Sequence, residues 1–196
     1  MKHAITAADI LPLDAYEKIR AEKRAAIMAA KKNRRVAVGP YATFYFENYD
    51  TMWLQIQEMM RIEKGGDEQL ADELRAYNPM IPNGRELTAT VMFEIEDETR
   101  RRAVLSTLGG VEKTVELRFD GETIHATSEQ DLDYTSAEGK ASSVQFLHFS
   151  FTAAQVLKFI APDRQAVIAV THANYGHMAI LPEQVRQELA RDFDRA

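Results

Sequence analysis

The sequence contains no cysteine. That excludes disulfides, thiolate nucleophiles, cysteine-ligated iron–sulfur clusters and cysteine-type zinc sites. Any metal would therefore rest on histidine and carboxylates. No apolar run approaches the ~18 residues of a membrane-spanning helix, so no membrane association is expected. The opening "MKHAITAADILPL" lacks the basic, apolar and small-residue succession of a signal peptide, and the expectation is a cytoplasmic protein. There is no G-x-G-x-x-G or P-loop string, which argues against a nucleotide-binding α/β fold. Ser142-Ser143 has no G-x-S-x-G context, which argues against a serine nucleophile.

What is present is an ordinary globular balance, 45% hydrophobic and 28% charged. A chain of 196 residues suits one compact domain or two intimate subdomains with a sizeable core. The net charge of −6 is unevenly spread. Residues 1–40 hold nine Lys/Arg against four Asp/Glu, and the remainder holds 15 against 26. An overall acidic chain argues against a nucleic-acid partner. "KKNRR" at residues 31–35 falls where a long helix should end, and its cations complement the helix dipole there. RNA or anion binding by residues 31–35 and 100–102 is the competing reading.

Pattern and punctuation organise the chain into two parts. Residues 1–84 read as a mostly helical subdomain carrying a hairpin. Pro12 opens a helix reaching about Asn33, "RVAVGPYATFYFEN" turns on Gly-Pro, a second helix spans roughly 51–64, and Gly65-Gly66 separates it from a third. Residues 85–196 read as strand, helix, strand, strand, twice over. "VEKTVELRF-DG-ETIHATSEQ" and "QAVIAVTH…GHMAIL" are the hairpins, and "DLDYTSAEGKA" is a polar loop between the units. The class is α+β, with a mainly antiparallel sheet built from two such units, as one sheet or as two small ones.

The stretch "FENYDTMWLQIQEMMRIE" carries the densest mixture of polar and apolar residues. On a helical wheel Met52, Trp53, Ile56, Met59 and Met60 share one arc. Glu63 falls inside that arc and Gln55 on its edge, while Glu58 and Arg61 fall on the opposite, polar side. A carboxylate on a core face must be paired, hydrogen-bonded or protonated. Glu63 is therefore a candidate base or metal ligand, or it turns out to water at the helix end. Gln55 and Gln57 are expected to bond loop backbone. Glu47 and Asn48, at a strand end before the helix, either line a cleft or cap the turn.

The most metal-like string is "THANYGH". A four-residue loop at 173–176 would set His172 opposite His177, close enough to share one ion. A carboxylate from Glu63 or Glu86 would complete a Zn, Fe or Mn site. An acid–base site would draw on the same residues with Glu58. His148 and His125 read as satisfied sheet histidines.

The runs "RRVAVGPYATFYFENYDTMWLQIQEMMRIE", "AYNPMIPNGRELTATVMFEIED" and "SSVQFLHF" resemble the DUF3501 family, bacterial proteins of about this length whose function is undefined. The chain departs from the family's His-Pro-x-Tyr element at "HANYG", where Ala173 replaces proline. The resemblance implies a redox or peroxide-stress setting, with rubrerythrin-like or iron–sulfur proteins as partners. The sequence thus points to an accessory, partner-binding protein, with a His/carboxylate enzyme or metal site as the alternative.

Overall fold

The computed structural model describes residues 2–129 and 133–194. Gln130, at the end of a predicted strand, and Asp131 and Leu132, at the start of the predicted polar loop, lie outside the described residues.

The N-terminal part follows its punctuation. Helix α1 spans Leu13–Lys31, behind Pro12. A 3-10 turn at Lys32–Arg34 leads into β1 (Arg35–Val38) and β2 (Ala42–Glu47). Helix α2 (Tyr49–Glu63) starts at Asn48, whose side chain accepts from Thr51 N–H. It stops at Lys64, which adopts the left-handed conformation at φ 57°. Helix α3 spans Gly66–Tyr77, and Pro79 ends it.

The second part runs β3 (Glu86–Phe93), α4 (Glu98–Leu105), β4 (Val115–Phe119), β5 (Glu122–His125), β6 (Thr127–Ser128), β7 (Val144–Ser150), α5 (Ala153–Ile160), β8 (Ala166–His172), β9 (Tyr175–Ile180) and α6 (Glu183–Leu189). This is the strand-helix-strand-strand order twice, with one extra short strand. Both units contribute to both sheets. The first strands, β3 and β7, pair in a sheet of order β1-β2-β3-β7-β6. The two hairpins meet through β4 and β8 in a second sheet of order β5-β4-β8-β9. The predicted strand "ETIHATSEQ" is split at Ala126, where the chain passes from one sheet to the other. The β4–β5 turn is Asp120-Gly121, both at positive φ (43° and 75°), the geometry that two-residue hairpins require. Because β2 pairs with β3 over six residues, the larger sheet runs across the 84/85 boundary.

Alternation assigns the faces. Leu87, Ala89, Val91 and Phe93 of β3 point into one core with Leu117, Phe119, Ile168 and Val170 of the second sheet. Phe159 of α5 and Leu189 of α6 enter the same core. Glu86, Thr88, Thr90 and Met92 take the opposite face of the larger sheet. A second cluster lies on that side, built from Tyr16, Ile27, Trp53 and Ile56 with Met80 and Ile81, and Phe146 of β7 packs against it. The architecture is therefore α1–α3, then the five-stranded sheet, then the four-stranded sheet. No helix among the described residues is long and apolar enough to cross a membrane.

Candidate functional site

Pairing across the larger sheet sets Glu47, Thr88, His148 and Thr127 in one row on its helix-covered face. Glu47 ends β2 and is 5% exposed. Its Oε1 accepts from Thr90 Oγ1 at 2.8 Å, and its Oε2 has no hydrogen-bond partner among the described residues. Thr88 Oγ1 donates to the Met80 carbonyl at 2.6 Å.

His148 sits between two carboxylates. Its Nδ1 lies 3.2 Å from Glu86 Oε2 and its Nε2 2.9 Å from Glu129 Oε2. The hydrogen bond to Glu86 holds the imidazole pKa above its ordinary value, against the opposing effect of burial, and Glu129 adds to it. As an imidazolium it donates from both nitrogens, so neither keeps a lone pair for a metal or a substrate proton. The arrangement ties β7 to β3 and to the segment after β6. Because the folded pKa is raised, this contribution is complete below the unfolded value of about 6.5 and is lost as pH rises through the folded pKa. His148→Gln is expected to lose about 1–3 kcal/mol near pH 6. It should also flatten the decline in stability between pH 6 and 9. Denaturant titrations at stepped pH measure both, and an unchanged decline in the variant would exclude the tie.

The other sequence-predicted residues separate. Gln55 Nε2 donates to Tyr77 Oη at 3.5 Å. Burial raises the Tyr77 pKa, and the nearby carboxylates of Glu73, Glu63 and Glu47 add to it. Glu58, assigned to a solvated helix side by the wheel, instead faces α1. It accepts from Tyr16 Oη at 2.5 Å, from Arg20 at 2.8 and 2.9 Å and from Arg24 at 2.8 Å. The Arg20 hydrogen bond leads in lowering its pKa to about 2. Glu63 is exposed at the helix end and, among the described residues, meets only the Gln69 amide, at 3.1 Å. Asn48 is the α2 cap.

The histidine pair expected across a four-residue loop is corrected by the register. The β8–β9 turn contains only Ala173 and Asn174, so His172 faces Tyr175 and His177 faces Val170. His172 Nδ1 accepts from Asn174 N–H and its Nε2 lies 3.3 Å from the Gly109 carbonyl. His177 packs edge-on against Tyr175, ring centroids 4.5 Å apart. Glu63 and Glu86 lie on α2 and the other sheet, away from both. Among the described residues no group of three or more His, Asp or Glu is arranged to hold a metal ion.

Sequence reasoning missed a groove between α5 and α6. It has a volume of about 850 Å³, and its walls include Val156, Leu157, Ile160, Phe193, Arg85 and Arg191. Leu157 is 62% exposed and Ile160 43%. The signal was in "TAAQVLKFIA": Val156 and Phe159 fill the core, while Leu157 and Ile160 repeat the i, i+3 spacing one face over. An ordinary surface helix would be polar there. The groove is braced by Arg186 of α6, 2% exposed, which donates to the Phe159 carbonyl at the end of α5.

The family profile described as "Protein of unknown function (DUF3501)" matches residues 4–193. The solved structure of a novel protein of unknown function from Burkholderia pseudomallei is similar at 37% identity. That alignment covers 97% of this chain and 100% of the other, with a TM-score of 0.89. No curated protein matches.

Proposed function

The chain belongs to the DUF3501 family of proteins of unknown function, and from that premise we propose that it is an accessory protein that binds a protein partner in the α5–α6 groove. The exposed pair Leu157 and Ile160 at the groove carries this reading. Two large apolar side chains one turn apart, beside a concave surface, form the kind of patch that marks an interaction site. The rim carries two arginines against one carboxylate, Asp194, which His3 meets at 3.2 Å, and that balance favours an acidic partner. Arg85 makes no side-chain ion pair among the described residues, and Arg191 is held only by Glu188, at 2.9 Å. The occupant that fits is an amphipathic helix laying i, i+3 or i, i+4 apolar residues between α5 and α6, with acids toward Arg85 and Arg191.

The family resemblance supplies the first partners to titrate, a rubrerythrin-like protein and a cysteine-rich iron–sulfur protein. The test is calorimetric titration of each against the wild-type chain and the Leu157→Asp/Ile160→Asp variant. Both side chains already face solvent, so the variant should keep the wild-type melting profile. Losing a central apolar pair costs about 2 kcal/mol or more of binding, roughly a thirtyfold weaker complex. Equal affinity in the variant would move the interface elsewhere. Failure of the wild type to bind either protein would remove these partners.

A further inference from the structure

We propose that a second cleft, between the start of α1, α2 and α3, binds a small apolar molecule carrying a neutral carbonyl group, with Gln57 as its polar anchor. Gln57 is 2% exposed and its Nε2 finds no acceptor among the described residues. The expected loop-backbone partner is absent, and the side chain instead forms part of the wall of a cleft of about 350 Å³. Ile10, Leu11, Met60 and Leu70 make the apolar part of that wall, and Leu13 at its edge is 43% exposed. An unpaired amide donor in apolar surroundings is unfavourable, and a methionine or leucine would fill the same helix position without that penalty. Small-molecule sites have this composition, mostly apolar walls with a few placed polar groups, at volumes from about 300 Å³ upward.

Charge narrows the ligand further. Arg61 lines the cleft, but its Nε is taken by Glu17 at 2.6 Å. Asp67 lines the cleft as well, and no ion pair neutralises it among the described residues. A carboxylate or phosphate would meet that acid, whereas a ketone, aldehyde, ester or amide would offer Gln57 an acceptor without bringing charge. The site is separate from the α5–α6 groove and stands or falls apart from it.

The experiment is a ¹⁵N–¹H NMR titration of the full chain with acetophenone, with cumene as an equally sized probe lacking the acceptor, and with benzoate as a charged one. Acetophenone should shift the Gln57 side-chain amide and residues around Leu70. It should bind about fivefold more tightly than cumene, the worth of one neutral hydrogen bond, and benzoate should bind more weakly than acetophenone. In Gln57→Met the two uncharged probes should bind equally, and that variant should melt no lower than wild type because the unpaired donor is gone. Leu70→Trp, which fills the cleft from α3, should block both probes and serves where Gln57→Met does not fold. No binding by acetophenone, no preference for it over cumene, or a preference that survives in Gln57→Met would each overturn the proposal.

Discussion

Replacing Arg34 with alanine should cost about 3–5 kcal/mol of folding stability, the loss typical of breaking one partner out of a buried ion pair. Arg34 is 1% exposed. Its guanidinium donates to the carbonyls of Phe46 and Glu47 at 3.0 and 2.8 Å and to both carboxylate oxygens of Asp192. One group therefore secures the end of β2, the entry to α2 and the C-terminal segment after α6. Asp192 is itself 1% exposed, and burial already pushes its carboxyl pKa up against the pull of Arg34. Without the cation, Asp192 must take up a proton or remain charged in an apolar setting, and two strand-end carbonyls lose their donors. Lysine should recover only part of the loss, because it carries the charge without the planar fork that reaches three acceptors at once. Arg34→Met combined with Asp192→Leu should recover only the part due to the stranded Asp192 carboxylate, since the Phe46 and Glu47 carbonyls still lack donors. Guanidinium denaturation of the three variants beside the wild type separates lost pairing from lost packing. A deficit below about 1 kcal/mol in Arg34→Ala would show that the tie carries little.

Arg34 also shows where sequence reasoning stops. Within "KKNRR" it is indistinguishable from its neighbours, and the helix-end reading suits Lys31, the basic residue in the last turn of α1. The acid that gives Arg34 its role is 158 positions away, and nothing local marks it. Glu58 was misplaced for the same reason: a wheel shows the faces of α2 but not that α1 covers the side opposite its apolar arc. Local chemistry was legible. Asp-Gly fixed the β4–β5 hairpin, and alternation identified His148 as a satisfied sheet histidine, whereas α2 was expected from about residue 51 and begins at Tyr49 behind Asn48. Its partners Glu86 and Glu129 come from another strand and a following loop, so only the pairing register brings them together. The β8–β9 turn failed by two residues, enough to turn a facing histidine pair into two unrelated contacts. The duplicated strand-helix-strand-strand order was readable from turns and caps. Its distribution over two shared sheets was not, because strand partners are chosen by long-range core packing.

Phe159→Ala should be comparably damaging, at about 3–5 kcal/mol, and contrasts with a neighbour two positions away. Phe159 is fully buried and meets Phe119, Phe151 and Phe193 edge-to-face at centroid distances of 5.3, 5.5 and 5.8 Å. Truncation removes the ring that these three pack around, and rings held by β4, the end of β7 and the C-terminal segment cannot close the cavity together. Leu157→Ala, on the exposed side of the same helix, should change stability by no more than about 0.5 kcal/mol. One eight-residue helix thus divides its work, with Phe159 anchoring it and Leu157 and Ile160 presented outward on that anchor. The division predicts how partner binding responds. Leu157→Ala should weaken binding in a protein of unchanged stability. Phe159→Ala should weaken it through a loosened α5–α6 wall, because Phe193 and Val156 line the groove and pack into the same core. Urea denaturation and partner titration of the two variants side by side give the answer. If Phe159→Ala loses less than about 1 kcal/mol, the aromatic cluster does not fix α5, and the groove has no preformed wall to offer a partner.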